Sequence, residues 1–285
     1  MAIAADGGTE VHIGTNTYPW TTFARREGRE LTLHTDEFLG DIASTGIQGY
    51  EPIIQSPSDF AGLAERLTSH GLAMRSIYVN SVLHDPAQSD ESIQEVLSIA
   101  EQAAKLGTRI LVTNPSPIRW GGTDDKTDDQ LKHQAESLDR LGEKLRRVGV
   151  TLAYHNHDSE LRQGAREFHH MLASTNSEHV KFCLDSHWIY RGCGNSQVAL
   201  FDVVSHYQDR VVEMHLRQSQ DGIWTETFSL EGDIDYRRLI QQLASRGIRP
   251  HMVLEQAIEE DTDLRLGVVA AHARSFQTLS ESGLL

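Results

Sequence analysis

The chain is poor in cysteine and in positive charge, and it has no long apolar run. Cys183 and Cys193 are its only two cysteines in 285 residues. So few in a chain of this size read as free thiols in a reducing cytoplasm, not as a disulfide framework. Lys and Arg number 26 against 41 Asp and Glu, giving a net charge of −15. Nucleic acid is therefore not expected as the main partner, because neutralising phosphates requires clustered basic residues. No apolar segment approaches the roughly 20 residues that span a bilayer, so no membrane association is expected. Met1–Asp6 lacks both a basic and a long apolar segment, so no signal peptide is expected and the location implied is cytoplasmic. Linker-like and low-complexity stretches are also absent, which argues for one domain over residues 1–285.

What is present is a beat of about 30 to 35 residues in which a strand-like run precedes a helix-like one. The strand-like runs are Val11–Pro19, Gly49–Ile53, Leu72–Ser81, Thr108–Asn114, the run opening at Val150, Val180–Ser186, Arg210–Leu216 and His251–Gln256. Helices are expected from the Thr35 N-cap to Gly46, from Ser58 to Gly71, and over Asp90–Leu106, Thr127–Val148, Glu167–Ser174, Gln197–Tyr207, Ile234–Gly247 and Thr262–Leu279. Eight such pairs are the arithmetic of a (β/α)8 TIM barrel of the α/β class. A doubly wound open sheet is the alternative. It usually carries a Gly-rich turn after its first strand, where this chain has Asn16-Thr17-Tyr18-Pro19-Trp20. Two loops stand out: the Pro/Gly/Trp-rich Pro115–Asp125, a lid candidate that could also reach a neighbour in a homo-oligomer, and Arg217–Gly232.

The chain has 15 histidines, and their placement matters more than their number. The apolar run Val150-Thr151-Leu152-Ala153-Tyr154 ends in His155-Asn156-His157-Asp158-Ser159-Glu160, so the fifth strand points His155 and His157 to one face. Ionisable groups at the end of a buried strand are costly unless they pair or bind a metal. The sixth strand ends in Asp185 and His187, the seventh in His215 and the eighth in Glu255. In a barrel these ends share one mouth. Any one of them is most simply a satisfied polar side chain, but four consecutive strands ending this way point to a metal site. A set of His nitrogens and carboxylate oxygens suits one divalent ion of Mn, Co, Zn or Fe, and suits Mg or Ca less well. His155, His157 and Glu160 compete for the fifth-strand ligand. Arg217, just past His215, could hold a substrate oxygen. Trp20, Trp120, Trp188 and Trp224 fall near strand ends or in strand–helix loops, where indole faces suit the C–H faces of sugars or simply pack the rim.

The runs Leu184-Asp185-Ser186-His187-Trp188, Glu231-Gly232-Asp233-Ile234-Asp235-Tyr236 and Leu254-Glu255-Gln256 resemble the xylose isomerase-like barrel superfamily. That group holds sugar isomerases, epimerases and dehydratases, together with an abasic-site endonuclease. Its divalent metal is typically held by Glu, Asp, His and Glu from strands five to eight. The resemblance implies Asp185, His215 and Glu255 as the last three ligands. Its strand-five position falls on His155, a departure from the family's glutamate. Tyr154-His155-Asn156-His157 is similar to a branch that includes inosose dehydratase and keto-sugar lyases. His157 matches the position where dehydratases of the family place a general base.

What these residues imply is a metal-dependent enzyme of carbohydrate metabolism. His157 takes the proton α to the carbonyl of a keto-sugar or keto-polyol, and Glu160 or His187 returns one to a departing β-oxygen or to carbon. Elimination is favoured over isomerisation or epimerisation, because one of the two glutamates that epimerases use is replaced. An abasic-site endonuclease is disfavoured by the charge, and a non-catalytic sugar-binding barrel is the remaining alternative.

Overall fold

The computed structural model describes residues 12–284. Eight parallel strands form one sheet: β1 (Ile13–Asn16), β2 (Gly49–Glu51), β3 (Ser76–Tyr78), β4 (Ile110–Thr113), β5 (Thr151–Tyr154), β6 (Val180–Asp185), β7 (Val211–Leu216) and, last in the chain, His251–Leu254. That last strand is β10, because the loop after β7 contains a two-stranded antiparallel hairpin, β8 (Ser219–Gln220) and β9 (Ile223–Trp224). The order β2-β1-β10-β7-β6-β5-β4-β3 runs around a cylinder. Its ends meet through the isolated bridges Gly49↔Ala73 and Ile53↔Tyr78. The chain is thus a single-domain α/β TIM barrel, nearly closed.

Helices fill the crossovers: α1 (Thr17–Arg26), α2 (Asp36–Ser44), α3 (Leu63–Ser69), α4 (Ser89–Lys105), α5 (Asp128–Arg147), α6 (Arg162–Ser174), α7 (Ser186–Gly192), α8 (Gln197–Tyr207), α9 (Tyr236–Ser245) and α10 (Val268–Ser280). Their apolar stripes pack on the outward faces of the strands and form the main core, through Leu39, Ile42, Leu138, Leu141, Phe168 and Leu239 among others. Local signals set the ends. Thr35 accepts from Phe38 N–H to open α2, and Thr127 and Gln130 form a reciprocal capping box at α5.

Three expectations from the sequence are corrected. The first strand does not run to Pro19: α1 begins at Thr17, with Pro19 in its first turn, where a missing N–H costs nothing. The Leu72–Ser81 run is a strand only over Ser76–Tyr78, and the last helix starts at Val268, not Thr262. The short α7, directly after Asp185, and the β8–β9 hairpin were not expected from the sequence. In α6, Gln163, Gly164 and Ala165 have left-handed dihedrals, so its regular part follows them.

The interior of the barrel is apolar only in part. Ile110, Val112, Ala153 and Cys183 form a small cluster separate from the main core. Flanking it are Glu51, Ser76, Glu213 and His215, all at 2% exposure or less, with Ser76 paired to Ile110 and Glu213 to Cys183 in register. Glycine makes this possible, since a Cβ on Gly49 would lie 2.5 Å from His12 Cε1.

This packing makes two predictions about stability. Gly142 lies inside α5, where Ala normally adds about 1 kcal/mol of helix propensity. A Cβ there would run into the backbone carbonyl of His179. Gly142→Ala is therefore expected to destabilise the fold by the ~1–3 kcal/mol typical of overpacking, seen as a lower urea midpoint. His272 stacks on Trp20 with centroids 4.3 Å apart, and burial lowers its pKa to about 4. It is neutral when folded and free to protonate when unfolded, so its contribution is complete above pH 6.5 and falls as the pH drops from there toward 4. Urea melts from pH 7 to 4.5 should show a shallower acid loss for His272→Leu than for the wild type.

Candidate functional site

Register pairing places the key side chains on the inner face at the carboxyl ends of the strands. Asp185 of β6 pairs with His215 of β7, and Val253 of β10 pairs with His215. Beyond β5, His155 N–H still bonds to Thr113 O at 2.9 Å, so the ladder carries its ring into the mouth. Glu255 N–H does the same with Leu216 O at 3.0 Å. One ligand atom from each of His155, Asp185, His215 and Glu255 lies within 4.8 Å of all the others, and all four residues are buried. His155 Nε2 is 3.6 Å from Asp185 Oδ2, and His215 Nδ1 is 2.9 Å from Glu255 Oε2.

Those atoms have no hydrogen-bond partner: both His155 nitrogens, Asp185 Oδ2, both His215 nitrogens and Glu255 Oε2. Unsatisfied buried polar atoms are costly, and a converging set of them is the arrangement a cation would satisfy. The donor set, two imidazoles and two carboxylates, fits a divalent ion. Other contacts orient the ligands without consuming them. Asp185 caps α7, with Oδ1 accepting from Trp188 N–H at 2.8 Å, which leaves Oδ2 free. Arg217 donates from Nε to Glu255 O at 3.0 Å and lies 3.2 Å from Glu255 Oε1 through Nη2. Burial alone would raise the Asp185 and Glu255 carboxyls. The neighbouring His155 and the Arg217 guanidinium outweigh that at Asp185, and Arg217 and His215 do so at Glu255, so both stay ionised.

Around the cluster stands a wall of rings. The His157 ring is 4.8 Å from that of His155 and 5.6 Å from those of Trp120 and Trp188. Burial, reinforced by His155, lowers its pKa to about 3, which leaves it neutral. The Arg217 guanidinium is fully buried and lies over Trp224 at 4.2 Å, Trp188 at 5.1 Å and Tyr18 at 5.6 Å. His187 Nε2 is 2.9 Å from Ser219 Oγ, whose hydroxyl donates to Asp233 Oδ2 at 2.6 Å. Because that serine hydrogen is already committed, His187 must donate from Nε2, which leaves a bare lone pair on Nδ1. Burial, with Arg217 nearby, lowers the His187 pKa to about 3. Asp233 also accepts from the N–H groups of Asp221 and Gly222, fixing the hairpin. Its neighbour Gly232 has φ +154°, and a Cβ there would lie 2.5 Å from Gln218 Cδ.

Two predicted residues lie elsewhere in role. The Glu160 carboxylate accepts from His157 N–H at 2.6 Å and from Ser159 Oγ–H at 2.9 Å, so it pins the loop rather than joining the four-residue cluster. Trp20 is buried in the helix layer between His272 and Phe38, with Nε1 donating to Thr15 Oγ1 at 3.3 Å. Trp120 and Trp188 do flank His157, Trp120 being 56% exposed on its loop. That loop lies over its own barrel: Arg162 donates to Gly122 O and Asp124 O and pairs with Asp125 at 2.9 Å.

Behind the cluster stand two carboxylates that sequence reasoning missed. Glu51 Oε1 and Glu213 Oε1 lie 3.1 and 3.3 Å from His215 Nε2. Burial would raise both carboxyls. The His215 charge overrides it at Glu51, which drops to about 2, while the Glu51 charge adds to it at Glu213, which rises well above the usual range. A signal for Glu213 was available, since it stands two residues before His215 in an apolar strand and so shares its face.

A barrel of this topology with a buried His/Asp/Glu cluster at its mouth is of the sugar isomerase/epimerase/dehydratase-like class. A profile of that class, the xylose isomerase-like TIM barrel, matches residues 39–276, and the chain belongs to this family. Among curated proteins it is similar to inosose dehydratase of Lacticaseibacillus casei, 22% identical over 272 residues that cover 86% of this chain and 89% of that one. The inosose dehydratase of Clostridium perfringens is 21% identical over 276 residues, covering 87% of this chain and 90% of that one. Among solved structures, a sugar phosphate isomerase/epimerase from Parabacteroides distasonis superposes with a TM-score of 0.73 at 16% identity, covering 98% of this chain and 97% of that one. The 3-keto-D-glucoside 4-epimerase of E. coli gives 0.64 at 15% identity, covering 96% and 99%. No helix among the described residues is long and apolar enough to cross a membrane.

Metal binding should show in thermal stability. Adding Mn, Co or Zn to chelator-treated protein at a hundredfold excess over Kd should add about 2.7 kcal/mol, a rise of several degrees in Tm. Asp185→Asn should abolish the shift in scanning calorimetry.

Proposed function

We propose that the chain is a divalent-metal-dependent lyase that removes the proton α to the carbonyl of a keto-sugar or keto-polyol and proceeds by β-elimination. The observation that carries this reading is the position of His157, neutral and half-buried, its ring 4.8 Å from that of His155 in the candidate metal cluster. His155, Asp185, His215 and Glu255 would hold the ion. A bound divalent ion supplies Lewis-acid polarisation of the carbonyl and favours the negative charge that develops as the proton leaves. The same charge favours the His157 imidazolium, so a ring that is neutral at rest becomes able to keep the proton.

His187 Nδ1, with its bare lone pair, suits a substrate hydroxyl that donates to it. Arg217, stacked between aromatic rings and anchored on Glu255, suits an oxygen that gains charge. Because the Glu160 oxygens are occupied by His157 N–H and Ser159, the proton delivered to the departing β-oxygen is assigned to His157 itself. The Trp120 and Trp188 faces suit the apolar faces of a ring substrate.

The relatives named inosose dehydratase support elimination from a keto-polyol. The structural neighbours named 3-keto-D-glucoside 4-epimerase and L-ribulose 3-epimerase support a second reading, in which the proton returns to carbon. Incubating the metal-loaded enzyme with inososes, 3-keto-glucosides and ketohexoses in deuterated water separates the two. Elimination gives an enone with loss of water or aglycone. Deuterium appearing in an epimer with no elimination establishes the second reading instead. Under either, His157→Ala should lower kcat by ~10²–10⁴-fold with metal affinity retained, as expected for loss of a general base.

A further inference from the structure

We infer that Glu51, backed by Glu213, is a positioning residue that fixes the ring of His215, accepting the proton on Nε2 and leaving the Nδ1 lone pair to face the mouth. This rests on the reading of His215 as a metal ligand. The ring stands between carboxylates on both sides, with Glu51 Oε1 at 3.1 Å and Glu213 Oε1 at 3.3 Å from Nε2, and Glu255 Oε2 at 2.9 Å from Nδ1. An imidazole that binds a cation is neutral and carries one proton, so one side must receive it and the other must present a lone pair. A ligating histidine presents its lone pair to the ion and gives its other N–H to an acceptor behind it.

The geometry decides which side is which. Asp185 Oδ2, Glu255 Oε2 and the His155 nitrogens all belong to the mouth cluster. A proton on Nδ1 would point into that cluster and engage Glu255, removing two donors at once. On the inner side both Glu51 oxygens are buried without a hydrogen-bond partner, and ionised carboxylates can only accept. Glu51 is 1% exposed and Glu213 fully buried, so bulk water cannot take their place.

The backbone is built to bring this about. Alternation along β7 puts Glu213 on the face of His215, whereas Glu51 comes from β2, three strands away in the sheet. The register row through His215 continues through Val253, Gly14 and Gly49. Its two glycines put no side chain of their own into the interior, and a Cβ there would meet His12 at Gly49 and His251 at Gly14. A competing arrangement is an inner cation, because Cys183, Glu213 and His215 also offer converging donor atoms. It would require His215 to give up its only N–H and bind through both nitrogens.

Nitrogen-15 NMR of histidine-labelled protein, metal-free and zinc-loaded, tests this, with the His215 signals assigned from a His215→Gln sample and zinc affinity measured by competition titration. The expected result is a proton on Nε2 in both states and zinc on Nδ1. Glu51→Gln should weaken zinc binding by ~10–100-fold, the usual cost of losing a carboxylate behind a ligating histidine. Glu213→Gln should weaken it less, and Cys183→Ser should leave it unchanged. Zinc on Nε2, a second equivalent of zinc lost in Cys183→Ser, or wild-type affinity in folded Glu51→Gln would each overturn the assignment. Wild-type protein that binds no zinc defeats the metal-site reading instead. The metal-free spectrum, taken where the ring is neutral, still judges this one, since a bare Nε2 overturns it and a protonated Nε2 beside a bare Nδ1 upholds it. The wild-type spectra suffice if Glu51→Gln fails to fold.

Discussion

The cost of leaving polar atoms unsatisfied inside a protein governs this structure. His155, Asp185, His215 and Glu255 each bring to the barrel mouth a side-chain atom with no hydrogen-bond partner among the described residues. An apolar core would relax such a cluster by collapse or by pairing. Here the surrounding contacts keep it open. Asp185 spends one oxygen on the first turn of α7 and holds the other free. Arg217 grips the Glu255 backbone and side chain while its guanidinium is fixed by aromatic rings. Gln218 and Gln256 tie the ends of β7 and β10 to each other, so the ligand-bearing ends cannot drift apart.

The same constraint explains why the barrel interior is only partly apolar. A polar cluster at the mouth needs support from behind, and Glu51, Glu213 and Ser76 supply it at the expense of apolar filling there. Stability then falls mainly to the outer layer, where the helices meet the outward faces of the strands. That division suits an enzyme: the outer core is interchangeable apolar packing, while the inner face is a set of positions with individual chemical tasks.

Much of this is legible in particular residues of the sequence. Val180–Ser186, Arg210–Leu216 and His251–Gln256 are largely apolar runs that carry Asp185, His215 and Glu255 near their carboxyl ends, and such runs are strands that emerge from a core. Legibility fails wherever two periodicities overlap. Asn16-Thr17-Tyr18-Pro19-Trp20 continues an apolar run, so it extends the expected first strand, yet Trp20, Phe23 and Ala24 keep helical spacing and are buried in α1. Glu160 carries the right chemistry at a plausible distance from His155, but a carboxylate three residues beyond a backbone N–H has a local use, and it serves His157 N–H. The hairpin around Trp224 is short and held by Asp233, a residue remote in sequence from its partners.

The sequence by itself determined the barrel, the four strand ends that carry His155, Asp185, His215 and Glu255, and the presence of a second imidazole at His157. These follow from alternation and from the spacing of apolar runs, which are local properties of the chain. Only the tertiary structure decided that Glu51 faces His215, that Trp20 belongs to the helix layer, and that His187 donates to Ser219 and keeps a lone pair. Each of these depends on which strands and helices meet across the barrel. The energy that fixes them is that of satisfying, or failing to satisfy, a buried polar atom whose partner lies far away in sequence.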